Sequence, residues 1–246
     1  MTINNTKLLI VLPMLASELW AQAPLPNGSI IAVRLNSALN SRKTKPGQVI
    51  SARVMQDVPT SRLHERSTVL GRVLSVKRAT TSEPAELSFR FDSVRSSKRS
   101  VGVNTDLRAL ASMMDVEDAQ VPPTGPDRGT PWTWATKNLI GGEVAYGEGG
   151  PVERGTQSVG HTLASGILVK VEPNSAGGCR GEVAQGPQLQ ALWVFSSDAC
   201  GAYGFPGLTI THSGRSPPLG QITVSSKQDI NIRTGSGMLL RVNSHE

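Results

Sequence analysis

The stretch Pro46-Gly47-Gln48-Val49-Ile50-Ser51-Ala52-Arg53-Val54 decides the fold class. Pro-Gly signals a tight turn, and after it Ile50, Ala52 and Val54 alternate with Ser51 and Arg53. A period of two places the apolar set on one face of a strand and the polar set on the other, the pattern of a half-buried sheet. Upstream, Ile31, Val33 and Leu35 alternate with Ala32 and Arg34; downstream, Leu87, Phe89 and Phe91 alternate with Ser88 and Arg90. Val69 to Val76 reads as apolar on both sides, which predicts a central strand covered twice. Roughly five short strands between Gly28 and Val103 predict a small barrel or sandwich.

The alternation returns at the other end. Leu208 to His212 and Gln221 to Ser225 flank a Gly/Pro loop and predict a hairpin. Ile230-Asn231-Ile232 and Met238 to Val242, on either side of Thr234-Gly235-Ser236-Gly237, predict another. Ser165 to Val171 echoes Ser236 to Val242. Thr105 to Met114 sets Leu107, Leu110, Ala111 and Met114 at i, i+3, i+4 and i+7, which predicts one short helix. Residues 121–160 hold nine Gly and five Pro, too irregular for a packed core of their own. The expected fold is therefore mainly all-β: a small barrel or sandwich closed by its N- and C-terminal strands, with one short helix and a long Gly/Pro-rich insertion. The expected parts are an N-terminal β-barrel part (24–105), the helix and insertion (106–160), and a C-terminal β part contributing the closing strands (161–246).

Residues 1–23 read as a secretory signal peptide: Lys7, an apolar run from Leu8 to Ala16, then Ala21-Gln22-Ala23 as a small-x-small cleavage site. The expected location is exported, periplasmic or secreted, at the cell envelope; an uncleaved N-terminal anchor is the alternative. Past Ala16 no apolar run approaches the ~20 residues of a spanning helix, which excludes a multi-pass transporter or channel and leaves no transmembrane span in the mature chain. Export places the two cysteines, Cys179 and Cys200, in an oxidising compartment, where a disulfide between them is expected. Gly177-Gly178 and Gly201 beside them ease the approach of the two backbones.

An ordered set of features is more specific than strand patterning. It runs Gly28 to Leu35, then Leu39-Asn40-Ser41, then Pro46 to Val54, then Gln56-Asp57-Val58, then Ser67-Thr68-Val69-Leu70-Gly71-Arg72-Val73, and ends with Asp229 to Val242. It resembles the TrbI-like barrel domain of type IV secretion core-complex proteins, whose motifs here are structural. The resemblance implies a barrel in which Pro46-Gly47 makes a tight turn, Gly71 lets a neighbouring backbone pass close by, and the last strands close against the first. The chain departs from the family at Glu65-Arg66-Ser67, where an I-P-x-G segment belongs, and shows no proline-rich linker or membrane-crossing helical hairpin. The expectation is a stand-alone exported relative.

The net charge is +6, with a sequence pI near 9.7. Nine Lys/Arg face four acids between Arg62 and Arg99. Arg90, Arg95, Lys98 and Arg99 are the candidate binding face, with Trp132 and Trp134 of Pro-Trp-Thr-Trp as a stacking surface or a loop anchor. An envelope protein or an anionic polymer is the expected partner. Nucleic acid is not, because no aromatics interleave the basic residues. The histidines His64, His161, His212 and His245 lack metal-ligand spacing, and no phosphate-loop or dinucleotide motif is present, so no metal, cofactor or catalytic residue is assigned. A non-catalytic β protein that binds or braces an envelope partner is the reading. The alternative is a secreted hydrolase of envelope glycans or peptides, with Ser196, Ser197, Asp198 and His161 or His212 as its raw material; no G-x-S-x-G elbow supports it. The partner's identity and the oligomeric state are open at this point.

Overall fold

The alternating stretches fold as strands because one face of each meets a common core. The computed structural model describes residues 25–58, 61, 63–96, 99–120, 134–147, 151–154, 157–163, 166–167, 191–196 and 199–243. The elements are β1 (Ile30–Leu35), β2 (Leu39–Asn40), β3 (Val49–Val54), β4 (Thr68–Lys77), β5 (Ala85–Ser96), β6 (Arg99–Gly102), β7 (Asn104–Ala111) and α1 (Met113–Gln120). They continue with β8 (Trp134–Leu139), β9 (Gly142–Gly147), β10 (Pro151–Arg154), β11 (Gln157–Leu163), β12 (Gly166–Ile167), β13 (Ala191–Leu192) and β14 (Phe195–Ser196). The last are β15 (Gly201–Tyr203), β16 (Leu208–His212), β17 (Ile222–Ser226), β18 (Asn231–Ile232) and β19 (Gly237–Asn243). The protein is mainly β with one short helix, and among the described residues no helix is long and apolar enough to cross a membrane.

One large sheet runs β15-β7-β19-β1-β3-β4-β5-β17-β16, with β6 on β5. Only the β15–β7 pair is parallel, so the sheet is mixed. The first and last long strands are partners: Ile30 opposes Arg241 and Val33 opposes Met238. Strand pairing does not close the sheet into a barrel, since β15 and β16 end it. Val103 N–H donates to Asp92 O where β6 gives way to β7, and Leu107 N–H donates to Ser213 O, so the sheet curls without its ends pairing. Ile31, Ile50, Leu87, Phe89, Leu110, Ile222 and Leu240, each fully buried, share the main core, with Phe89 and Phe91 edge to face at 5.9 Å. Each such side chain contributes about 1.5–3 kcal/mol relative to exposure.

Pro46-Gly47 makes the expected turn, with Gly47 at φ 82° and Gln48 N–H donating to Lys45 O. Gly71 is required: a Cβ there would stand 2.0 Å from Arg90 O, at a register shift between β4 and β5. The Asn40-Ser41 and Asp229-Ile230-Asn231 segments lock together as β2 and β18. Ser41 Oγ donates to Asp229 at 2.9 Å and accepts from Ile230 N–H at 3.1 Å.

Three expectations are corrected. Asn104–Ala111 is a strand, not a helix. β7 is buried on both faces because β19 and β15 flank it and a second cluster covers its outer side, so its apolar residues follow no period of two. The helix begins after it, where Ser112 Oγ accepts from Asp115 N–H at 3.1 Å as an N-cap. Val69 to Val76 is central but not covered twice: β4 alternates, with Val69, Gly71 and Val73 buried and Arg72 and Ser75 exposed. β18 and β19 do not form a hairpin, because β1 and β7 already occupy both edges of β19 and β18 pairs with β2. The β16–β17 hairpin forms as expected, with Thr209 opposite Ser225.

Within the insertion, β8 and β9 pair from Trp134 opposite Gly147 to Leu139 opposite Gly142. Ile140 ties this hairpin to the second cluster: its N–H donates to Val194 O at 2.8 Å, and Ser196 N–H donates back to Ile140 O at 3.0 Å. Ala32, Ala109, Ala111, Val116, Phe195 and Leu239 complete that cluster. The signal-like residues 1–23, Trp132 and Cys179, and most of Ser165 to Val171, lie outside the described residues.

Candidate anion-binding face

The outward positions of β1, β3, β4, β5 and β6 line up across the strands. Arg34 opposes Arg53, Arg53 opposes Thr68, Thr68 opposes Arg95, and Arg95 opposes Ser100. Directly opposed residues share a face, and neighbouring strands stand about 4.8 Å apart, so Arg34 and Arg95 are separated by roughly 14 Å along one row. The side chains of Arg34, Arg53 and Arg95 form no ion pair or hydrogen bond with any described residue. Like charges placed directly opposite each other destabilise a sheet, so the Arg34–Arg53 pair is a cost that no described residue compensates.

A second row lies beside it, with Val49 opposite Arg72 and Arg72 opposite Arg90. One carboxylate serves both guanidinium groups: Asp92 accepts from Arg72 Nε at 3.0 Å, and Arg90 Nε stands 3.4 Å from the same oxygen. Val49, 69% exposed, and half-buried Leu70 are the apolar residues among these charges. The face thus carries Arg53, Arg72, Arg90 and Arg95 around a single acid, with Arg34 at its border.

Of the residues expected to bind, Arg90 and Arg95 come together here. Arg99 is exposed on β6 but in register with Ser96, one residue out of phase with the Arg95 row, so it faces the other way. Lys98 and Trp132 lie outside the described residues, and Trp134 opens β8, of which the backbone alone is described. Arg34, Arg53 and Arg72 were not singled out from the sequence as members of the face. Arg34 and Arg53 belong to the polar phase of the alternation that identifies β1 and β3, whereas Arg72 lies in the stretch expected to be apolar on both sides.

The serine, histidine and acid residues of a hydrolase do not assemble among the described residues. Ser196 is fully buried, and its Oγ has no hydrogen-bond partner. His212 packs into its own loop, with Nδ1 2.6 Å from Gln221 O and 3.1 Å from Gly214 N and with Ser216 Oγ 3.3 Å from Nε2, and no described carboxylate pairs with it. Ser197 and Asp198 lie outside the described residues, and of His161 the backbone alone is described.

Two carboxylates are held below their usual range. The Glu65 N–H donating to Asp57 at 2.7 Å lowers that acid, with His64 adding to the effect. The Ser41 hydroxyl, followed by the Arg42 guanidinium, lowers Asp229. Both stabilise loop closures rather than the basic face.

The chain matches no known family model, no curated protein and no solved structure.

Proposed function

We propose that this is an exported, non-catalytic β protein of the cell envelope that holds an anionic polymer, or an acidic surface of an envelope protein, on the outer face of β3, β4 and β5. The observation that carries this reading is the Arg34–Arg53–Thr68–Arg95 row, in which three guanidinium groups stand without a counter-charge among the described residues. Guanidinium presents a planar fork of donors to phosphate or carboxylate oxygens, so such a row gains from a polyanion what no described residue supplies. Strand spacing favours a linear anion lying across the strands.

The signal-like segment 1–23 supports the location. The β1–β19 pairing, the close approach at Gly71 and the lock between Asn40-Ser41 and Asp229-Ile230 support the reading of a stand-alone relative of TrbI-like domains. A Cys179–Cys200 bridge belongs to the same proposal: no described cysteine is a free thiol, and Cys200 is buried where its N–H donates to Tyr203 Oη at 2.9 Å. A loop of about 20 residues closed this way stabilises by roughly 3 kcal/mol in the chain-entropy model. Thiol labelling of the denatured, unreduced protein is expected to find none free, and two would contradict both bridge and export.

The binding test is titration with long-chain polyphosphate at several salt concentrations. Three neutralised arginines predict a slope of log K against log salt of about −2 to −3, reduced by Arg53→Gln with Arg95→Gln. Salt-independent binding, or none, overturns the proposal.

A further inference from the structure

A second surface differs in chemistry. The loop 78–84 joins β4 to β5 and is fixed by its own bonds: Thr80 N–H donates to Glu83 O at 2.9 Å, and Glu83 N–H donates to Thr80 Oγ1 at 3.0 Å. Facing it is the outer side of the β16–β17 hairpin, where Thr209 opposes Ser225 and the Thr211 hydroxyl donates to Thr223 O at 3.2 Å. A cleft of about 940 Å³ lies between them. Thr80, Thr81 and Gln228 also line a neighbouring hollow of about 790 Å³ that reaches Asn40, Asp229 and Asn231, so the cleft and the hollow flank the same loop and are together called the trough.

Hydroxyls and amides dominate this trough. Its charges are largely closed on themselves: Arg42 pairs with Asp229, and Glu83 pairs with Lys77 at 2.9 Å, which leaves Lys227. A polyanion would meet Glu83 and Asp229 here, and an apolar segment would strand the hydroxyls without partners. A chain rich in hydroxyls suits both sides, because each Ser, Thr or amide group both donates and accepts. Pro84 and Pro206 add two apolar ring surfaces against which a sugar's C–H face can rest. The trough is open to solvent, which suits a chain passing along it better than an enclosed small molecule.

We propose that the trough between loop 78–84 and the β16–β17 hairpin binds a neutral glycan chain, at a site separate from the arginine face. The test titrates the full protein with chitohexaose and with maltohexaose at 0.1 M and 1 M NaCl, followed by amide NMR. Saturable binding of at least one probe is expected, unchanged within about twofold by salt as screening requires of uncharged contacts, with shifts at residues 80–83, 209–211 and 225–228. Thr209→Val with Thr211→Val keeps the β-branched shape while removing two hydroxyls, and should weaken binding about tenfold. Gln228→Ala, on the exposed rim, gives a second and milder loss, whereas Arg53→Gln leaves glycan binding unchanged. No saturable binding of either probe, binding indifferent to both trough variants, or binding abolished by salt overturns the proposal. None of these results bears on the polyphosphate titration.

Discussion

The two halves of the large sheet are built from similar strands and treated differently by the rest of the chain. In the β1–β19–β7 half both faces are buried: beneath Ile31, Leu110 and Leu240 lies the main core, and on the other side Ala32, Ala109, Ala111 and Leu239 are covered by Val116 of α1 and by Leu192, Val194, Phe195 and Ala199. In the β3–β4–β5 half only the inner face is covered, and the outer one presents Arg53, Arg72, Arg90 and Arg95 around Asp92, with Glu86 opposite Lys77 at the far end of the strands. Covering a face follows from small or apolar outward residues; leaving it open follows from charge. The first half holds the protein together, and the second keeps a charge arrangement that folding alone does not favour.

The largest break in this contrast is removal of β18 and β19. A chain ending at Ser226 deprives β1 and β7 of their shared partner, and calorimetry is expected to show no cooperative transition. Phe89→Ala, on the inner side of the open half, should cost about 3–5 kcal/mol in denaturant unfolding. Val49→Ser, on its outer side, should stay within about 0.5 kcal/mol. If the two are equally costly, the open half is not open. Gly71→Ala forces β4 and β5 apart where Arg72 opposes Arg90, and a loss of about 1–3 kcal/mol is expected.

The same contrast explains what was legible. Where one face is solvated, as in β3 and β5, Ser51, Arg53, Glu86 and Arg90 keep the period of two visible. The Pro46-Gly47 turn could be read beside it, whereas the close approach at Gly71 and the pairing of the first and last long strands were expected from the resemblance to TrbI-like domains. Where both faces are buried, as in β7, Leu107, Leu110 and Ala111 carry no such contrast, and a spacing of three and four imitates a helix. Ser112 was the discriminating residue, a cap placed after the strand. The arginine row was half legible: alternation exposes Arg34, Arg53 and Arg90 individually and the basic cluster includes Arg95, but their alignment depends on strand order and register, which no local pattern contains.

A smaller effect sharpens the distinction between charges that close loops and charges left open. Asp229 is lowered in the folded chain, so its contribution is fully present above the ordinary carboxylate pKa and is lost as pH falls through its lowered value. Ser41→Ala should raise Asp229 toward the ordinary range in an NMR titration and move the onset of acid unfolding to higher pH. An unmoved Asp229 would show that the hydroxyl does not hold it.

The most direct test of the account replaces Arg53 by Gln and measures stability and polyphosphate binding on the same low-salt sample. An arginine opposed by Arg34 and without a counter-ion among the described residues is not needed for folding, so the variant is expected to be as stable as the parent or slightly more so, by a few tenths of a kcal/mol, while binding falls about tenfold. A variant that loses stability and binds polyphosphate as tightly as the parent would contradict the claim that this face retains its charges for a ligand.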